Sequence, residues 1–224
     1  MKHIPNALTL GNLICGCFGI LFALRYQLEL AAYCVWLACV FDFLDGFAAR
    51  ILKVSSPIGK ELDSLADMVS FGVLPAFVMY SLLTLASTNS MLPYSAFLLT
   101  AFSALRLAKF NIDEKQHDSF IGVPTPANAL FITALVFLPM PFSAWLSNPF
   151  FLVGITVAFS LLLVSPLPLF ALKFKNFAWR DNQLRFVFLI IAAIAMVVLK
   201  ASSIPFIILF YIFASLITQR FNLK

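Results

Sequence analysis

Apolar runs of membrane-crossing length recur almost without interruption along this chain, and nothing else restricts its fold so tightly. They lie near residues 7–24, 28–50, 62–87, 91–110, 125–146, 149–171, 184–200 and 203–220. A helix needs about 20 apolar residues to cross a hydrocarbon core ~30 Å thick. Irregular backbone has no hydrogen-bond partners there, so helices are the simplest solution. Charged residues make up 11% of the sequence, where a soluble domain carries roughly 25%. The chain is therefore read as all-α: a polytopic membrane helical bundle of about eight transmembrane helices, with one integral membrane domain over residues 1–224.

Eight crossings return both termini to one side. All but Arg25 and Lys200 of the 15 cationic residues then fall on that side, including Lys2, Arg50, Lys53, Lys60, Arg106, Lys109, Lys115, Lys173, Lys175, Arg180, Arg185, Arg220 and Lys224. The positive-inside rule places it in the cytoplasm. The net charge of +5 is thus read as topology and lipid-headgroup contact. Nucleic acid is not an expected partner, since no aromatic-basic motif accompanies the charge. Cys15, Cys17, Cys34 and Cys39 sit in apolar runs without CxxC spacing and read as small packing residues. His3 and His117 are the only histidines, which argues against a histidine metal site. The first apolar run resembles a signal peptide only faintly, because Pro5, Asn6 and Asn12 interrupt it; it reads as a retained helix.

Against this background, half of the ten acidic residues lie between positions 42 and 67: Asp42, Asp45, Glu61, Asp63 and Asp67. A carboxylate within a span costs roughly 2.5–3.5 kcal/mol at the membrane centre, so the cluster requires compensation. Asp42 and Asp45 are spaced i, i+3, and Asp63 and Asp67 i, i+4, so each pair shares a helical face. A turn containing Pro57 and Gly59 is expected to fold the two helices antiparallel and bring the acidic faces together. Four converging carboxylates require cations to stay ionised together. An oxygen-only donor set suits Mg²⁺, Mn²⁺ or Ca²⁺, and two such ions would form a clamp for phosphoryl chemistry. Gly46 and Ala49 leave room beside the acids, Gly59 permits close backbone approach, and Arg50 offers a planar fork to phosphate. Ser55 and Ser56 supply hydroxyls.

The pattern Asp42-x2-Asp45-Gly46-x2-Ala49-Arg50-x8-Gly59-x3-Asp63-x3-Asp67 resembles the signature of the CDP-alcohol phosphatidyltransferase family. That resemblance implies a helical membrane enzyme, usually a homodimer, with a divalent-metal site open to the cytoplasmic interface. It implies metal-ligand roles for Asp42, Asp45, Asp63 and Asp67, with Asp67 also taking the acceptor's proton. It further implies contacts to the CDP-linked donor from Gly46, Ala49, Arg50 and Gly59, with Ser56 a weaker addition. The cofactor expected is Mg²⁺ or Mn²⁺, two ions per protomer.

The patches "IPNALTLGNLICG", "ELDSLADMVSFGVLPA", "RLAKFN" and "GVPTPANA" are similar to the phosphatidylserine synthase branch of that family. The implied substrates are CDP-diacylglycerol and L-serine. Asn6 and Thr9 are expected to face the nucleotide, with helix capping the alternative for Asn6. Arg106 and Lys109, one turn apart, are candidates for the serine carboxylate or a phosphate, with positive-inside charge as the alternative. Pro124 and Thr125 either shape the acceptor pocket or begin the fifth span. Glycerol 3-phosphate, inositol phosphate or choline remain alternative acceptors. From another class, a cation transporter would use the same carboxylates, although its site belongs near the midplane between repeats.

Overall fold

A computed structural model describes residues 3–54, 56–112, 120–169 and 179–221. Lys2, Ser55, Lys115, His117, Lys173, Lys175 and Lys224, all weighed above, lie outside the described residues, as do the side chains of Arg180 and Arg220. Each of the eight expected spans contains a helix, and the chain is an all-α bundle. Among the described residues, strand pairing is confined to a two-residue antiparallel contact between β1 (Phe120–Ile121) and β2 (Pro168–Leu169).

The first hairpin joins α1 (Ile4–Leu24) to α2 (Leu28–Leu52). Pro5 sits in the first turn of α1, where its missing N–H costs nothing. Arg25 lies in the turn between the two helices, beside Tyr26 at φ 59°. α2 ends where Lys53 adopts the left-handed region at φ 52°, and Val54 N–H donates to Ala49 C=O at 3.0 Å. That closure is of the Schellman kind.

Here the structure corrects the expected turn. Pro57 and Gly59 are not in it: both belong to the first turn of α3 (Pro57–Asp67), and Lys53 makes the reversal. Ser56 is the N-cap, its Oγ accepting from Gly59 N–H at 3.0 Å, with Pro57 in the first turn behind it. α3 therefore starts before the apolar run at 62, because a cap and a proline define its start more strongly than hydropathy does. A π turn, Met68–Val73, leads directly into α4 (Leu74–Ala86).

A 3₁₀ turn, Leu92–Ala96, precedes α5 (Phe97–Ile112). The fifth span is shorter than expected. α6 (Thr125–Ala134) continues as a 3₁₀ turn only to Phe137. Pro139 and Pro141 remove the donors needed to go further. α7 (Pro149–Val164) is capped by Asn148, whose Oδ1 accepts from Phe150 N–H and Phe151 N–H. It ends at Val164 rather than at 171: the prolines of "VSPLPLF" (Val164 to Phe170) are expected to kink or end the sixth span because they remove backbone donors. α8 (Trp179–Leu199) is interrupted at Asn182 and joins α9 (Ser203–Phe221) through a turn at Lys200, φ 51°.

α1 and α2 make the most extensive helix pair, and α4 occupies the centre, packing on α1, α5, α6 and α7. Phe71, Leu74, Val78, Met79 and Leu83 are fully buried along the π turn and α4. On α1, close approach depends on glycine. A Cβ at Gly16 would stand 2.5 Å from Ser70 Oγ, and one at Gly19 would stand 2.4 Å from Leu74 Cδ2. The outer surface is rich in large apolar side chains, among them Phe18, Leu37, Ile190 and Val197. Four stretches, 4–24, 28–52, 57–86 and 185–218, are long and apolar enough to cross a membrane.

Candidate active site

α1 packs against both α2 and α3, whereas α2 and α3 barely touch each other. The gap between them is a cleft of about 720 Å³. Asp45, Gly46, Ala49 and Arg50 line it from α2, Ser56, Gly59 and Asp63 from the α3 side, and Asn6 and Thr9 from α1. Every residue expected to contact the donor thus faces one space, together with Lys53 and Lys60. Its size is that of a small-molecule site. A Cβ at Gly46 would meet nothing within 4 Å, so this glycine keeps volume open rather than permitting helix contact.

The acids converge at the inner end of the gap. One carboxylate oxygen each from Asp42, Asp63 and Asp67 lies within 4.8 Å of the others. Asp45 lies beside this trio, and Thr9 Oγ1 donates to its Oδ2 at 2.6 Å. The same hydroxyl lies 3.0 Å from Pro5 C=O, and it has one proton to give. The shorter, charge-assisted contact is the stronger. Asp63 Oδ1 is buried without a hydrogen-bond partner, and among the described residues no Lys or Arg nitrogen lies within 4.0 Å of these carboxylates. Three crowded carboxylates, one of which carries an unpartnered buried oxygen, fit a hard divalent cation. Asp42, Asp63 and Asp67 would hold it, with Asp45 adjacent.

Sequence reasoning missed Asn12 as a site residue. It is fully buried, and its Nδ2 donates to Asp67 Oδ1 at 3.1 Å. Its own carbonyl accepts from Ser70 Oγ at 2.9 Å. The available signal was an amide inside an apolar run, which had served only to argue against a signal peptide. Asn6 is not a cap, since His3 holds that position. Asn6 instead reaches Gly59, where an added Cβ would lie 3.3 Å from its Oδ1.

Arg106 and Lys109 are separated in environment. Lys109 is exposed. Arg106 is buried, its Nε has no hydrogen-bond partner, and its guanidinium lies 5.9 Å from the Phe110 ring centroid. α5 brings it there by packing on the π turn, with Ser103 against Gly72. Arg106 lies within the electrostatic reach of Asp67. Asn111, from the same patch, is structural: its Nδ2 donates to Ser64 Oγ at 2.9 Å and ties α5 to α3. Pro124 is the extended residue that begins α6, and Thr125 is buried beside it. Asn128 on that helix is fully buried with both amide atoms unpartnered.

Comparison with known proteins agrees with this construction. Residues 2–165 match the family described as CDP-alcohol phosphatidyltransferase. Among similar proteins is a CDP-diacylglycerol–serine O-phosphatidyltransferase of Mycobacterium leprae (strain TN). It is 36% identical over 177 residues, covering 75% of this chain and 58% of that protein. The protein of the same name from Bacillus subtilis (strain 168) is 36% identical over 179 residues, covering 79% of this chain and 92% of its own. That of Methanocaldococcus jannaschii is 37% identical over 129 residues, 58% of each chain. The matched part thus spans somewhat over half of the first and third relatives and most of the second. The chain belongs to the CDP-alcohol phosphatidyltransferase family, and its apolar helices make it an integral membrane protein. The cation-transporter alternative is set aside on that ground.

Proposed function

We propose that this family member transfers the phosphatidyl group of CDP-diacylglycerol to the hydroxyl of L-serine, releasing CMP. The observation that carries the reading is the convergence of Asp42, Asp63 and Asp67 at the end of a cleft lined by the donor-contact residues. Arg50 fits the donor's pyrophosphate: its Nε is engaged by Gly46 C=O at 3.0 Å, and its terminal nitrogens stay available. Gly46 and Ala49 leave the nucleotide room, and Ser56, Gly59 and Asn6 border it. Lys53 and Lys60 add positive charge at the rim.

In the reaction, the serine oxygen bonds to the phosphorus that carries diacylglycerol, and the bond from that phosphorus to the CMP oxygen breaks. Asp67 takes the hydroxyl proton as general base. Asp42, Asp63 and Asp67, with Asp45 adjacent, would hold divalent cations, two per protomer and either Mg²⁺ or Mn²⁺, which would supply charge neutralisation for phosphoryl transfer. Buried Arg106, with Nε unpartnered, pairs with the serine carboxylate; Lys109, exposed, contributes charge at the membrane surface. The names of the relatives favour serine over glycerol 3-phosphate, inositol phosphate or choline. The whole chain acts as one catalytic domain in the inner membrane, as a homodimer, with its termini and cleft on the cytoplasmic side.

Purified protein given CDP-diacylglycerol and Mn²⁺ or Mg²⁺ should release CMP in response to serine and not to the other three acceptors. Asp67→Asn should abolish it. Release with another acceptor alone would move the assignment within the family, and release with none, in folded protein, would end it.

A further inference from the structure

α1 holds none of the carboxylates, yet it grips both acidic helices. Thr9 and Asn12 stand one turn apart on α1, on the face turned towards α2 and α3. Thr9 Oγ1 donates to Asp45 Oδ2 on α2 at 2.6 Å. Asn12 Nδ2 donates to Asp67 Oδ1 on α3 at 3.1 Å. Both donors are buried, Asn12 completely.

The grip is itself anchored. Ser70, on the π turn just past Asp67, donates to Asn12 C=O at 2.9 Å. Gly16, one turn further along α1, permits that approach, because a Cβ there would stand 2.5 Å from Ser70 Oγ. A threonine in a helix ordinarily returns its proton to the carbonyl four residues back. Thr9 has that option at Pro5 C=O, 3.0 Å away, and lies closer to Asp45.

We propose that Thr9 and Asn12 are positioning residues that orient Asp45 and Asp67 so that the acidic helices present a divalent-cation site. The proposal rests on the metal-dependent reading above. It adds to the part expected of Thr9, which lines the cleft and also acts on a carboxylate. A carboxylate fixed through one oxygen cannot swing away to relieve repulsion from its neighbours, so the cation finds ligands already in place. Outer hydrogen bonds of this type are worth about 10- to 100-fold in metal affinity.

The test measures Mn²⁺ binding directly, by electron paramagnetic resonance of the free ion, on purified full-length protein in lipid-containing micelles. Thr9→Val removes the hydroxyl at constant shape, and Asn12→Leu removes the amide at similar volume. Each should weaken Mn²⁺ binding about tenfold or more, whereas Thr9→Ser should stay within about twofold of the parent. Melting temperatures in chelator should match across the set. Unchanged Mn²⁺ affinity in Thr9→Val and Asn12→Leu, or equal losses in Thr9→Val and Thr9→Ser, would overturn the proposal. Should Asn12→Leu not fold, the Thr9 pair decides alone. Parent protein that binds no Mn²⁺ overturns it as well. Parent protein that binds Mn²⁺ without releasing CMP removes only the transferase reading.

Discussion

The helical stretch 57–86 and the hairpin 185–218 are both apolar enough to cross a membrane, yet 61% of the most apolar window of the first is buried and only 11% of that of the second. Their polar groups differ in the same sense. In the hairpin, hydroxyls bond nearby backbone: Ser203 to Lys200 C=O in the preceding turn, Ser215 to Tyr211 C=O and Thr218 to Ala214 C=O, with one weak crossing from Ser203 to Met196 Sδ. In the site-bearing half Ser64 and Thr84 also bond their own helix, but others cross between helices. Ser70 reaches Asn12, Ser81 reaches Ala23 C=O on α1, and Thr100 reaches Gly72 C=O. A helix facing lipid needs only to satisfy itself. A helix that must hold a carboxylate in register needs neighbours that fix its rotation and height.

The contrast can be broken by substitution, and the largest effect belongs to the acids. Asp63→Asn should lower the rate of CMP release at least about 100-fold without reducing the melting temperature, because it removes crowding as well as a ligand. Loss of folding instead would mean the cluster is structural. Arg106→Leu comes next. The acceptor's KM should rise roughly 10- to 100-fold, the worth of a hydrogen bond to a charged group, with the KM for CDP-diacylglycerol unaltered. A change confined to the donor's KM would place Arg106 on the other substrate.

Stability changes are smaller and sort by helix. Gly16→Ala should cost about 1–3 kcal/mol, read as a lower melting temperature, because the new methyl meets Ser70. Gly154→Ala on α7, where a Cβ meets nothing within 4 Å, should gain about 0.5–1 kcal/mol from helix propensity. Least of all, Val197→Ala on α8, 80% exposed, should shift stability by no more than about 0.5 kcal/mol. A marked loss there would show that the hairpin is covered by protein rather than lipid.

The acidic site was legible because helical periodicity turns the spacings of Asp42, Asp45, Asp63 and Asp67 into shared faces. The eight apolar spans were legible from hydropathy alone, although the third of them holds both α3 and α4. What hydropathy obscured was the start of α3. Its first turns are polar, so they read as a loop, although Ser56 followed by Pro57 is a helix-start signal. The end of α6 was lost in the opposite way, since an apolar run continued past the prolines that stop the helix. The environments of Arg106 and Asn12 were not legible. One cation at a span end looks like any other topology marker, and only the packing of α5 on the π turn buries it. An amide in an apolar run becomes a ligand's partner only when another helix supplies the carboxylate.

The π turn from Met68 to Val73 sets a phase. An ordinary helix advances about 100° per residue, and a wide turn absorbs an extra residue without ending the helix. Asp67 lies ahead of that phase step, while Leu74, Val78 and Met79, which seat α4 in the core, lie behind it. Deleting one residue within the step would preserve almost every side chain and still rotate one half against the other by about that angle. The protein would then have to choose between a packed core and a facing carboxylate. Homologous chains that differ in length here should therefore change on both sides of the step together.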